Sequence, residues 1–327
     1  LDRLEVRGAE FDDGAARGTA LAILGSRGFD TLRLSVLVEP STGFLGLARS
    51  ATMGGRIRGA GFRLFVDLEY SDAPAGAGVQ EKPRRWRSVP EAALPDTVRS
   101  YTRRVLKTFA QAGAAPDFVQ VGREVGRGIL GDAGRVGPDS SGAAWDRFAG
   151  LLAAGIAGTR DAAPKARVVL HLEGGDAAWC ATVVDSLGAR GVAFDLVGVS
   201  WYPWWHGTLA QLEETLALLA RHGCAGVLVL ETAYPWTLRD ADDVLDEVSQ
   251  PSQLHPGYEA TPDGQKRWIA DVLALVRELP EGRGVFYHEP AQISAKGVGS
   301  AWDNLALFDA DGRALPALDA FREAAAK

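Results

Sequence analysis

The sequence predicts an α/β protein of the (β/α)8, or TIM-barrel, class, organised as a single domain over residues 1–327. Three observations carry this. Short apolar runs alternate with longer segments in which apolar residues recur every three or four positions, the signature of strands alternating with amphipathic helices. The short runs are close to continuously apolar, as strands covered on both faces of a parallel sheet are. Eight such runs fit this chain length, which suits a barrel better than a doubly wound sheet.

In chain order the strand candidates are EVRGAEF (5–11), TLRLSVLV (31–38), FRLFVDLEY (62–70), FVQVGREV (118–125), RVVLHL (167–172), DLVGVSWY (195–202), GVLVLETAY (226–234) and GVFYHEP (284–290). Helical spacing marks 101–113, 145–160, 208–223 and 264–279, with Gly113 and Gly223 placed as C-terminal stops. The first strand is not followed by GxGxxG, which argues against a dinucleotide fold. The Pro/Gly-rich stretches 72–96 and 131–142 follow the third and fourth strands and read as long loops on the active face.

Composition narrows the function. A net charge of −7 gives no footprint for nucleic acid or for an anionic membrane. No apolar run approaches the roughly 20 residues of a membrane span. The N-terminal LDRLEVRGAEF lacks a basic-then-apolar signal pattern, and the expected location is secreted or extracytoplasmic. Cys180 and Cys224 are too few for a metal cluster, and are either two separate thiols or one bridge. Nine tryptophans, three of them in WYPWW (201–205), are a surplus that suits either core packing or stacking on sugar rings.

In a (β/α)8 barrel the catalytic groups come from the C-terminal ends of strands. Those ends carry Arg33, Glu69, Arg123, Glu124, His171, Glu173, Trp201, Tyr202, Glu231, Tyr234, Tyr287, His288 and Glu289. Any one strand-end carboxylate can be an ordinary ion-pair partner; so many polar ends together point to a site. Glu124 and Glu231 close the apolar runs FVQVGRE and GVLVLE, after the fourth and seventh strands. Two carboxylates so placed can serve glycoside hydrolysis, one as a proton donor and one as an ionised nucleophile. The scattered His171, His206 and His288 lack metal-ligand spacing.

The chain resembles glycoside hydrolase family 53, the arabinogalactan endo-β-1,4-galactanases, over nearly its whole length. SWYPWWHGTL (200–209) is close to that family's SYYPWWHGTL. ETAYPWT (231–237), YSD (70–72), QEKPRRW (80–86), PDFVQVG (116–122), HPGYEATPDGQ (255–265) and GSAWDNLALFD (299–309) match in order and spacing. The resemblance implies a retaining hydrolase acting on a polysaccharide or oligosaccharide, as a monomer without a cofactor. It makes Glu124 the acid/base and Glu231 the nucleophile, about 5–5.5 Å apart. Arg33, Glu69, Asp72, Arg123, His171, Trp201, Tyr202, Trp205, His206, Tyr287, His288 and Trp302 are the expected sugar-binding residues. Some bacterial members hold calcium in a long loop after the eighth strand. The corresponding loop here, 290–302, is short and has no carboxylate before Asp303, so no metal is expected.

The sugar-reading shell departs from the family pattern. Arg123 stands where the family has the Asn that binds the sugar 2-hydroxyl, and Glu69 stands in place of the His of HYSD. RLRVWVNP has become RLSVLVEP, keeping Arg33 but giving Ser35, Leu37 and Glu39; His288 replaces a Trp; and the WADP loop is PAGA (74–77). Neighbouring third and fourth strands would let Glu69 and Arg123 pair. The alternatives to a galactanase are therefore a glycosidase of altered specificity (another galactan linkage, a furanoside or an anionic sugar) and a non-catalytic carbohydrate-binding barrel.

Overall fold

The computed structural model describes residues 1–14, 17–76, 81–222 and 224–326. The expected helix stop at Gly223, Ala77 of the PAGA loop and Gln80 of QEKPRRW lie outside them. One seven-stranded sheet has the order Gly282–Tyr287, Val227–Thr232, Leu196–Ser200, Arg167–Leu172, Phe118–Val121, Arg63–Leu68, Thr31–Val36. Each strand of this sheet thus neighbours the sheet's next strand in chain order. Between successive strands lie the helices Leu47–Gly59, Leu94–Gln111, Gly142–Ala162, Ala177–Gly188, Leu209–Ala220 and Pro262–Glu278, and Ala317–Ala325 follows the last strand. This is the (β/α)8 architecture the alternation predicts.

The first predicted strand is the exception. Residues Asp2–Val6 form a short helix, and only Phe11–Asp12 is extended, paired antiparallel with Arg17–Gly18. Glu5, Arg7 and Glu10 deny this stretch the continuous apolar face of a buried strand. Leu4 alone anchors the helix in the core, and Gly8 at φ +81° turns the chain out of it. The helix expected over 101–113 begins earlier, at Leu94. Pro95 falls in its first turn, where a missing N–H costs nothing. Gly113, at φ +71°, ends it as expected.

The chain divides into two compact units. The first comprises Thr31–Ser200 and Thr215–Leu228. Its five complete strands run parallel in continuous register, with Asp67 opposite Gln120 and His171 opposite Gly198. Leu64, Phe65, Val66, Leu106, Phe109, Val119, Phe148 and Val169 fill its core. The second comprises Leu1–Asp30, Trp201–Glu214 and Val229–Lys327. There Tyr234 stacks on Trp268 with centroids 5.3 Å apart, and Phe308, Leu318 and Ile269 are buried nearby in the same unit. Cys180 and Cys224 are free thiols. Among the described residues no helix is long and apolar enough to cross a membrane.

Candidate active site

Glu124 does not sit on its strand. The strand stops at Val121, Gly122 takes φ +80°, and Glu124 itself is left-handed at φ +49°, ahead of a single 3-10 turn, Val125–Arg127. Only glycine serves at 122: besides the positive φ, a Cβ there would lie 2.5 Å from Val125 Cγ1. A left-handed non-glycine residue is an uncommon conformation that concentrates at functional sites. The turn re-aims the Glu124 side chain, which is nearly buried.

A row of buried polar residues stands behind it, all in the first unit. Ser200 Oγ–H donates to Glu124 Oε1 at 2.6 Å, and His171 Nε2 is 3.0 Å from Ser200 Oγ. Arg33 Nη2 approaches His171 Nδ1 at 3.4 Å and forms a salt bridge with Asp67 Oδ2 at 2.7 Å. Gln120 closes the row, donating to Asp67 Oδ1 at 2.6 Å and accepting from Arg33 Nε at 3.1 Å. Ser35 Oγ–H donates to Asp67 as well.

Arg123 and Glu69 meet beside this row. Arg123 Nη1 is 3.7 Å from Glu69 Oε1, and the Glu69 side chain is fully buried. Ala75 N–H donates to Glu69 Oε2 at 2.6 Å. Burial first, then the Asp67 charge, push the Glu69 carboxyl up to about 7; Arg123, the Ala75 amide and Ser35 pull the other way.

The second unit holds Glu231 with an aromatic group. Glu231 is 1% exposed, and Tyr202 Oη–H donates to its Oε2 at 2.9 Å. His288 Nδ1 is 3.6 Å from the same oxygen. Tyr202 is ringed by Trp204, Trp205, His206, His288 and Trp302, at centroid distances from 5.2 to 6.1 Å. The segment is not a strand: Pro203–His206 is a single helical turn, and the sheet ends at Ser200. Strand alternation therefore does not govern Trp201 and Tyr202, and both are buried, whereas Trp205 is 54% exposed. His206 Nδ1 accepts from Tyr202 N–H at 2.9 Å. Burial pulls the His206 imidazole down to about 4 although the Glu231 charge raises it, so it is neutral near pH 7.

Two expected sugar contacts are committed elsewhere. Asp72 accepts from the backbone N–H groups of Glu39 and Arg84, tying two loops together. Tyr287 is buried with its hydroxyl donated to Leu305 O at 2.7 Å. His171 is also wholly buried, its two ring nitrogens facing Arg33 and Ser200. Arg33, Glu69, Arg123, His171 and Glu124 do come together in the first unit. Trp201, Tyr202, Trp205, His206, His288, Trp302 and Glu231 come together in the second.

Residues 1–321 match the family described as Glycosyl hydrolase family 53. The chain belongs to that family. It is 36% identical, over 98% of its length and 91% of the other's, to an uncharacterized protein from the bgaB 5′ region of Niallia circulans. It is 29% identical to an arabinogalactan endo-β-1,4-galactanase of Cellvibrio japonicus, over 98% of this chain and 88% of that one. Among solved structures it is similar to the family 53 catalytic domain of Ignisphaera aggregans. The TM-score is 0.90 at 33% identity, covering 98% of this chain and 92% of that one.

Within this family 53 chain, the residues missed in the sequence are Ser200, Gln120 and Asp67. A signal existed for each: a polar residue inside an otherwise apolar strand must find a buried partner. No three His, Cys, Asp or Glu side chains among the described residues are placed to hold a metal ion. The nearest approach is acidic. Ser294 Oγ contacts both Asp242 Oδ2 and Asp303 Oδ2, and buried Asp246 lies against Asp303. The single Ser294 hydroxyl hydrogen can serve only one of the two carboxylates. Burial first, then Asp303, raise Asp246 to about 8, and Asp303 is raised as well.

Proposed function

We propose that the chain is a retaining endo-acting hydrolase of β-1,4-linked galactan, with Glu124 as acid/base and Glu231 as nucleophile. On this reading the whole chain is one catalytic barrel, a monomer working outside the cytoplasm. The observation that carries it is the family 53 match over residues 1–321; Glu124, just past strand Phe118–Val121, and Glu231, near the end of Val227–Thr232, support the assignment. The surroundings of each support its role. Glu231 accepts a phenolic hydrogen bond, which favours the ionised form a nucleophile needs. Attack on the anomeric carbon forms a glycosyl ester on Glu231, while Glu124 gives its proton to the departing glycosidic oxygen. Water then attacks the same anomeric carbon as Glu124 takes its proton, the bond to Glu231 breaks to release its carboxylate, and the sugar leaves with its configuration retained. Trp205 offers an exposed ring on which a galactose C–H face can stack.

A second reading, altered sugar specificity, is favoured by the Arg123–Glu69 pair. Arg has five donors and no acceptor, so it can give a hydrogen bond to a 2-hydroxyl but cannot take one as an Asn can, and it brings bulk and charge.

The test is incubation with β-1,4-galactan alongside other plant and bacterial polysaccharides, with product lengths and anomeric configuration read by NMR. The expected result is short β-configured galacto-oligosaccharides. Glu124→Gln and Glu231→Gln should each lose on the order of a thousandfold or more in kcat. Inverted products, or turnover that survives both substitutions, would refute the assignment.

A further inference from the structure

Ser200 and His171 take no part in that scheme, yet both are wholly buried in the row behind Glu124. The hydrogens along this row have one consistent assignment. Arg33 can only donate, so His171 Nδ1 is its acceptor and the ring proton lies on Nε2. Nε2–H then donates to Ser200 Oγ, and the single hydroxyl hydrogen goes on to Glu124 Oε1. A doubly protonated ring would set Nδ1–H against the guanidinium. A hydroxyl turned toward His171 would set two hydrogens against each other.

We propose that Ser200 and His171 are positioning residues that reserve Glu124 Oε1 as a permanent acceptor, so that the catalytic proton is carried on Oε2. The proposal rests on reading Glu124 as the acid/base. It accounts for both of that residue's tasks. With Oε1 already accepting from Ser200, the proton is favoured on Oε2, the oxygen this reading gives to the glycosidic bond. Once it is given up, the same Ser200 donor stabilises the carboxylate that must act as base. Asp67 and Gln120 hold Arg33 from the far end and so keep the direction of the row.

A donor to the charged form lowers proton affinity, so its removal raises it. Ser200→Ala should move the Glu124 titration upward by about one pH unit, the size expected for one lost hydrogen bond to a charge. Two measurements read this independently. One is the 13C shift of the Glu124 carboxyl in glutamate-labelled protein, assigned with Glu124→Gln. The other is the alkaline limb of kcat/KM on galactan. Ser200→Thr, which keeps the hydroxyl, should restore both. On the unaltered protein, 15N NMR of the imidazole should show His171 protonated on Nε2 alone, and this needs no folded variant. A proton on Nδ1, or an unmoved Glu124 titration in Ser200→Ala, overturns the relay while leaving the galactanase reading intact. No galactan hydrolysis together with an intact carboxyl shift overturns the galactanase reading and keeps the relay.

Discussion

Arg123 shows how a single substitution re-tunes its neighbours. It lies beside a fully buried Glu69 whose carboxyl is already raised to about 7, chiefly by burial. The native state therefore holds on to the Glu69 proton more tightly than the unfolded chain does. Stability from this group is present below about pH 4.5 and is lost as pH climbs through about 7. Arg123 limits that loss by favouring the charged form. Arg123→Asn should consequently destabilise little at pH 5 and visibly more at pH 8, as read by thermal melts at the two values. It should also lower turnover on the true substrate by about tenfold or more, the worth of one lost charged contact. Equal destabilisation at both pH values, with undiminished turnover, would mean the pair does not work as a unit. That Arg123 and Glu69 meet was legible from two departures on adjacent strands. That Ser200 and His171 stand behind Glu124 was not, because no single-residue pattern encodes which strand-end side chains share a face.

At the scale of elements, strands were the legible part. RVVLHL was read to the residue, and the other strands of the sheet to within four positions at either end. Continuous apolar runs have little other use in a covered parallel sheet. What failed was local. EVRGAEF had apolar residues but no apolar face, and the strand read to Tyr202 stops at Ser200, ahead of the helical turn Pro203–His206 that holds Trp205 outward. Trp205→Ala should raise KM for galactan several-fold and leave kcat within about twofold, since loss of stacking removes uniform binding. A fall in kcat with KM unchanged would contradict it. The acidic segment around Asp246 behaves oppositely to an ordinary surface loop. Its carboxyl is raised to about 8 by burial and then by Asp303, with Asp240 and Asp242 adding to the effect. Stability should therefore decline as pH rises from about 4 through 8. Asp246→Asn should flatten that decline and raise the melting temperature at pH 8.5. If calcium alone produced the same rise in the unaltered protein, a cation rather than a proton would be relieving the charge.

At the scale of the molecule, the buried polar row has a bearing on how the chain folds. Asp67, Gln120, His171 and Ser200, with Arg33, come one from each of five neighbouring strands, separated by up to 167 positions in the sequence. Side chains on a strand alternate between faces, so a slip of one residue in any pairing would turn that strand's polar member away from the others. Apolar neighbours tolerate such a slip cheaply; a stranded Asp or Arg does not. The row is thus a proofreading device for strand register. It penalises misaligned sheets, and it can be completed only when distant parts of the chain have already met, a requirement associated with slow folding. The side chains that back Glu124 thus also bear on how the strands of this unit align.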